Sequence, residues 1–330
     1  MMKKIIHRII KNESGNVLVL VAALMITLIG LTALVIDGGR LYLEKSTLQK
    51  AADAAALAGA QELPNDTLSA ETHAKSITIS NNVQIGNSTV EFADNKMWIR
   101  VTNTSNVELT FGKIFGISSV PVTATAKVDL NPLTSATGVI PLGLDFGDYD
   151  KWKHCTEISL KLPSPSGHTD PTEECNGSNQ LGSGNTGPLD ITGSGGNNFR
   201  SDLANGAQVE VWVGKELNTE TGTMTGPTKQ GIKERVDACK GIYSYDANTF
   251  DTNPPPNNCA QVVVVPLYTI IESNNNQIKK VKIVGFATLF IIGTDNNGKE
   301  VYARFMNFTV AGGNSSSQTN YGTFGYKLVE

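Results

Sequence analysis

Val17 to Ile36 is a run of 20 residues without a charge. At about 1.5 Å of rise per residue, a helix of that length spans about 30 Å, one hydrocarbon thickness. Nothing else in the chain restricts its fold as strongly. A helix so long and apolar either crosses a bilayer or is buried on every side by protein. A cleaved signal peptide is the nearest rival. Signal h-regions reach only about 7–15 residues and end in a small-x-small site. This run is longer, and it continues into "DGGRLYLEK" without a break. It therefore reads as a retained single-pass anchor. Lys3, Lys4, Arg8 and Lys11 crowd the arm before it. The positive-inside rule predicts that arm, residues 1–16, in the cytoplasm and everything after Ile36 outside. Arg40, Lys45 and Lys50 follow the span and weaken the asymmetry.

The stretch beyond the span is built from small residues. Seven of the ten residues from Ala51 to Ala60 are alanine. Alanine loses no side-chain entropy in a helix, so the anchor helix is expected to continue to about Leu63, where Pro64 stops it. Leu41, Leu48 and Ala55 fall at seven-residue spacing. Ala52, Ala56 and Ala60 form one small-xxx-small row, and Ala51, Ala55 and Gly59 form another. Such rows let two backbones approach closely. The expectation is that they pack against similar helices of sibling subunits; the alternative is the protein's own strands. Gly30, Gly38 and Gly39 join the candidate packing positions. Gly38 and Gly39 each cost the helix about 1 kcal/mol and mark a hinge or a close contact at the membrane surface. Asp37 and Arg40, three apart, read as a solvated interfacial pair.

Beyond Pro64 the pattern turns to strands. "SAETHAKSITISNNV" is a short helix candidate. "STVEFADNKMWIRVT" reads as a hairpin about Asp94-Asn95. "NVELTFGKIFGISSVPVTATAKVDL" reads as a strand, a short apolar connection and a second strand. "NPLTSATG" (131–138) is expected as a linker. After it, "QVEVWV", "QVVVVPLYTII", "KKVKIVGFATLFIIG" and "EVYARFMNFTV" read as strands, with a turn at "DNNG" (295–298). "GPTKQGIKERVDACK" reads as a helix with Pro227 in its first turn. Long loops are expected at 163–205 and 244–258. The expected class is α+β: a transmembrane helix (17–36), a small pilin-like αβ module (37–130), and a mostly β extracytoplasmic domain (139–330).

Function classes narrow by composition and motif. A net charge of −4 and a pI near 5.7 leave no nucleic-acid footprint. All four cysteines, Cys155, Cys175, Cys239 and Cys259, lie beyond the span, and an even count in an exported domain reads as disulfides. Three connectivities are open. Pairing 155–175 and 239–259 is favoured, because each bridge closes a Gly/Asn/Pro-rich loop. "DITGS" (Asp190, Thr192, Ser194) imitates an Asp-x-Ser-x-Ser metal loop but lacks the apolar strand that must precede one. His154, Cys155, His168 and Cys175 match no familiar zinc spacing. "GSGNTG" (182–187) fits a dinucleotide fingerprint, yet Pro188 follows where a helix is needed. No nucleophile elbow or His-Glu-x-x-His is present. No catalytic residue, metal or cofactor is expected.

The residues from Gly15 to Ala60 also carry a likeness. The entry Gly15-Asn16, the exit Asp37-Gly38-Gly39-Arg40-Leu41-Tyr42 and the run Leu48 to Ala58 closely resemble the N-terminal module of TadG-like proteins of the Flp (Tad) pilus-assembly system. "GKIFGISSVPVTATAKV" (112–128) is similar to the end of that module. "TGVIPLGLD", "GPLDITGSGG" and "TGTMTGPTKQGIKERV" resemble, more loosely, a C-terminal region of some Tad proteins. The fifth residue after Gly15 is Leu20, where processed pilins carry Glu, so peptidase cleavage is not expected. The resemblance implies a membrane-anchored structural or assembly component of a Tad pilus. Its implied partners are the membrane and other pilus-assembly subunits, met through the N-terminal helix, and homo-oligomers fit the same contacts. A tethered binding or adhesion module, working through the 163–205 loops, is the alternative.

Overall fold

The computed structural model describes residues 13–161 and 185–329, apart from 148, 150–152, 154, 223, 275 and 276. The basic arm before residue 13, His154, His168, Cys175 and the larger part of the 163–205 segment lie outside the described residues. The architecture is α+β, as expected: one long apolar helix followed by a mostly β body.

Helix α1 (Glu13–Glu62) runs unbroken through Gly38 and Gly39. Among the described residues, its apolar half stands exposed. No part of its most apolar window is buried, and Leu18, Ile26, Leu34 and Val35 are each more than two-thirds exposed. In water this surface would be strongly unfavourable, so the helix has the length and composition of a membrane span. The polar half is clasped by protein. Helix α2 (Thr67–Ser80) starts at Asp66, whose carboxylate accepts the Ser69 N–H at 2.8 Å. This N-cap supplies a partner for one of the orphan donors of the first turn.

Strands β1 (Ser88–Phe92) and β2 (Trp98–Glu108) form the expected hairpin, with Val90 opposite Val101 and Phe92 opposite Ile99. Strand β3 (Ser119–Ala136) pairs through residues 119–129 with the whole length of β2. Alternation sets the faces. Ile99 and Val101 of β2, with Ala124, Ala126, Val128 and Leu130 of β3, turn toward α1 and are buried.

The expected linker at 131–138 is not one. β3 runs on to Ala136, and Leu133 and Ala136 sit in the core of the next sheet. Thr134-Ser135 looked like spacer by composition, but Leu133 and Ala136 supply buried side chains and the backbone finds further strand partners. One partner is β13 (Gly313–Asn314), antiparallel at Leu133 and Ser135, and another is β14 (Thr323–Leu328), which lies antiparallel to residues 128–132. A C-terminal strand thus completes the sheet that covers α1.

The second sheet follows the order β4–β9–β10–β11–β5: β4 (Leu144–Asp145), β9 (Val262–Asn274), β10 (Gln277–Thr294), β11 (Glu300–Met306) and β5 (Ile158–Lys161). β8 (Glu216–Thr221) adds to β10, and β6 (Asn185–Asp190) adds to β8. Both sheets are mixed, since β4 is parallel to β9, and β12 (Phe308–Val310) is parallel to β14. Val263, Val265 and Leu267 face α3 (Gly196–Asn205) and α4 (Thr225–Cys239), whereas Val264 and Tyr268 face Leu133 and Ala136. These are the two faces of one strand with period two.

One loop expectation and one strand expectation need correction. Residues 185–190 form a strand and 196–205 a helix, inside the segment expected to be loop. Phe199, Asp202 and Leu203, at i, i+3 and i+4, form a buried face that the surrounding Gly and Asn obscured. "QVEVWV" yields only β7 (Val211–Trp212). Cys239 and Cys259 form a disulfide, and Cys155 is disulfide-bonded as well. The 239–259 bridge lies against Phe250 and Phe290. Arg235 ties the helices to that loop, donating to the carbonyls of Leu203 and of Ala260, the latter at 2.6 Å. Burial lowers its pKa to about 10, so it stays charged at neutral pH.

Candidate interaction site at the helix–hairpin junction

The alanine rows are the first site residues to place. Ala51, Ala52, Ala55, Ala56 and Ala60 are fully buried within the chain itself. Ala51 packs beside Val83 and Ala124, and the other four pack on Ala70 and Ala74 of α2 and on Ile99, Val101, Ala126 and Val128. The expectation that these rows meet sibling subunits is therefore corrected: the protein's own strands and second helix cover them. A buried alanine methyl contributes only about 0.8 kcal/mol, so bulk is not the gain. The gain is proximity. A Cβ built on Gly59 would lie 2.4 Å from the Ile99 Cδ1 and 3.0 Å from the Ala70 carbonyl oxygen. Leu48 is buried beside Ala51 and Ala124, and its carbonyl accepts from the buried Asn103 amide at 3.4 Å.

The other candidate positions stand open. Gly30, Gly38 and Gly39 have nothing within 4 Å of where a Cβ would be, and Leu41 is half-buried. The structure does not bring these glycines together with the alanine rows in one surface. The rows face inward, and the glycines face outward.

Directly before Gly38 and Gly39 sits Asp37, and here a second reading changes. It is not part of a solvated pair. It is only 7% exposed, and its carboxylate accepts the backbone N–H groups of Thr110 (2.8 Å), Phe111 (3.0 Å) and Gly112 (2.8 Å). These residues open the 3-10 turn Gly112–Phe115 that joins β2 to β3. Arg40 reaches the same loop, donating to the Thr110 hydroxyl at 2.8 Å. The "IDGGR" exit of the span is thus a clamp on the hairpin tip. Spacing pointed to the Asp37–Arg40 pair; no local pattern could reveal a partner 73 residues away.

Desolvation alone would raise the Asp37 carboxyl. The donors of Thr110, Gly112 and Phe111, with the Arg40 charge, outweigh it, and the pKa is lowered. A lowered carboxylate stabilises the fold above its unfolded value, about 3.9, and loses that contribution as pH falls through the folded value. A spin label at Lys113→Cys should therefore stay ordered at neutral pH and gain mobility only once pH drops below the ordinary aspartate range. Asp37→Asn should make the label mobile at neutral pH too. Equal mobility in both proteins across that range would remove the clamp.

Sequence reasoning missed a pair of buried acids. Thr192 donates to Asp202 at 2.7 Å, and the Gly195 N–H donates to Glu220 at 2.9 Å. Burial raises both pKa values against these hydrogen bonds, and the nearby Asp190 charge adds to the rise. The "DITGS" loop is thus held by Asp202 through its threonine. Among the described residues no group of three or more His, Cys, Asp or Glu is arranged to hold a metal ion. The only sequence signal for Asp202 was its place on the buried face of a short helix.

Among the described residues, one bare apolar helix has the length and composition of a membrane span and is continued by a small-residue half that strands clasp. Residues 15–62 match the family model "Putative Flp pilus-assembly TadE/G-like". The match covers the residues that carried the resemblance, so the chain holds a TadE/G-like segment there. No curated protein and no solved structure gives a significant match to the chain.

Proposed function

We propose that this protein is a membrane-anchored structural component of a Tad/Flp-type pilus-assembly system and acts by protein–protein contact rather than catalysis. The match of residues 15–62, on a helix whose apolar half is bare, carries this reading. The N-terminal arm lies in the cytoplasm and the disulfide-bearing body outside. The flanking lysines and arginines and the Cys239–Cys259 bridge support that orientation. Contacts with sibling subunits use the open part of the helix, around Gly30, Gly38 and Gly39, because the alanine rows are already filled. Deleting the gene should remove the major pilin from the sheared surface fraction while leaving it in the membrane, and complementation should restore it. Unchanged surface pilin would sink the assembly role.

A second reading is favoured by one observation. An open cavity of about 460 Å³ is lined by Tyr149, Phe305, Tyr321, Asp251, Asn307 and Asn320. That volume and mix of aromatic and polar groups suit a ligand, as a tethered binding module would need. In that case surface pilin survives the deletion and adhesion is lost.

A further inference from the structure

The tip of the β2–β3 hairpin carries an apolar patch that none of the described residues covers. Ile114 is 77% exposed, Phe115 83% and Ile117 50%. Exposed apolar clusters of this kind mark interaction surfaces. The contacts along the hairpin give the patch its position. Gln49 meets the Thr125 carbonyl, Lys45 meets that of Thr123, Arg40 meets Thr110, and Asp37 meets Gly112. Helix numbers fall steadily as the hairpin nears its tip, so the hairpin runs down α1 toward the apolar span. Asp37 is the first residue beyond that span. The clamp therefore holds Thr110, Phe111 and Gly112 at the end of the span, and the 3-10 turn carries Ile114 and Phe115 on from there.

We propose that Ile114, Phe115 and Ile117 dip into the outer interface of the bilayer that α1 spans, a lipid contact that makes the anchor two-point. The proposal rests on the reading of Val17–Ile36 as a membrane span. Lipid is the favoured occupant because Asp37 holds Thr110, Phe111 and Gly112 directly at the end of the apolar span, whose last residues Leu34, Val35 and Ile36 are themselves exposed. Two cations stand beside it: Arg40, which donates to the Thr110 hydroxyl, and Lys113, which pairs with Glu108 at 3.2 Å. Tyr42, 77% exposed, is one helical turn farther out, where aromatic belts form. Interfacial segments of this kind bury their apolar side about 5–10 Å deep. A single helix leaves the body free to tilt about Gly38-Gly39. A second contact, fixed to the helix by Asp37, sets the angle of the sheet to the membrane.

The test uses the full chain in liposomes that mix lipids brominated near the headgroup end with lipids brominated near the chain terminus. An environment-sensitive fluorophore is placed singly at Phe115→Cys, at Leu24→Cys within the span, and at Asp94→Cys in the turn at the opposite end of β2. All three positions are exposed, so labelling leaves the core intact. Loss of most of the emission at 115 and 24, with none at 94, is the expected result. Quenching at 24 alone leaves the anchor standing and overturns the lipid contact, freeing the tip for a protein partner. No quenching at any position overturns the anchor and the proposal with it. Quenching at 94 as well overturns the proposal, because the whole body would then lie flat on the lipid.

Discussion

Gly59→Leu should destabilise the body by about 3 kcal/mol or more, the upper range for overpacking a filled core. The glycine sits where α1, α2 and β2 meet. Its missing side chain is filled by Ile99, the Ala70 carbonyl and the Ala74 methyl, the last 3.2 Å from a built Cβ. Ile99 is fully buried and the Ala70 oxygen is backbone, so neither yields cheaply. Ala55→Phe should act in the same way. Gly38→Leu is the matched control, since open space surrounds that position. It should leave thermal unfolding of the body unchanged or gain about 1 kcal/mol from helix propensity. Circular dichroism melts in detergent, with crosslinking to neighbouring subunits in cells, separate the cases. If Gly59→Leu melts like the wild type while crosslinks disappear, the alanine rows serve siblings after all.

Replacing Cys239 and Cys259 together by alanine should lower stability by about 3 kcal/mol. The bridge closes a loop of 20 residues' separation, rich in Asn and Pro, whose freedom in the unfolded chain it restricts. The loop also folds back as a lid. Phe250, Tyr243 and Tyr245 pack on Phe290 with ring centroids 5.5–5.6 Å apart. Arg304 donates to the Ala247 carbonyl at 3.1 Å and pairs with Asp251 at 2.8 Å. Without the bridge these contacts must close the longer loop unaided. Alanine is preferred to serine because Cys239 and Cys259 are buried and an unpaired hydroxyl would add its own cost. Urea unfolding of the double variant measures the loss. An unchanged midpoint would mean that the aromatic contacts hold the loop by themselves.

Local chemistry was legible in the sequence wherever neighbours along the chain decide it. The length of α1, its stop at Pro64, the β1–β2 hairpin about Asp94, and the helix opened by Pro227 all follow from periodicity, capping and turn residues. The family likeness was legible for the same reason, because it is carried by one continuous segment. Elements built from weakly patterned residues were not. Asn205 and its neighbours read as loop until Leu203 and Phe199 find β9 to pack on. "NPLTSATG" reads as a linker until β14 arrives from almost 200 residues farther on.

The sequence by itself determined that the chain has one apolar helix able to cross a membrane and that a smooth alanine face must follow it. Length, charge and side-chain volume are properties of the chain alone. Which surface that face would meet was decided by the tertiary structure. Small residues permit close approach without naming a partner, and the strands that supply the partner are assembled from both ends of the chain. The same holds for Asp37. Its charge beside the span is written in the sequence, but its work depends on three amide groups that only folding brings within reach.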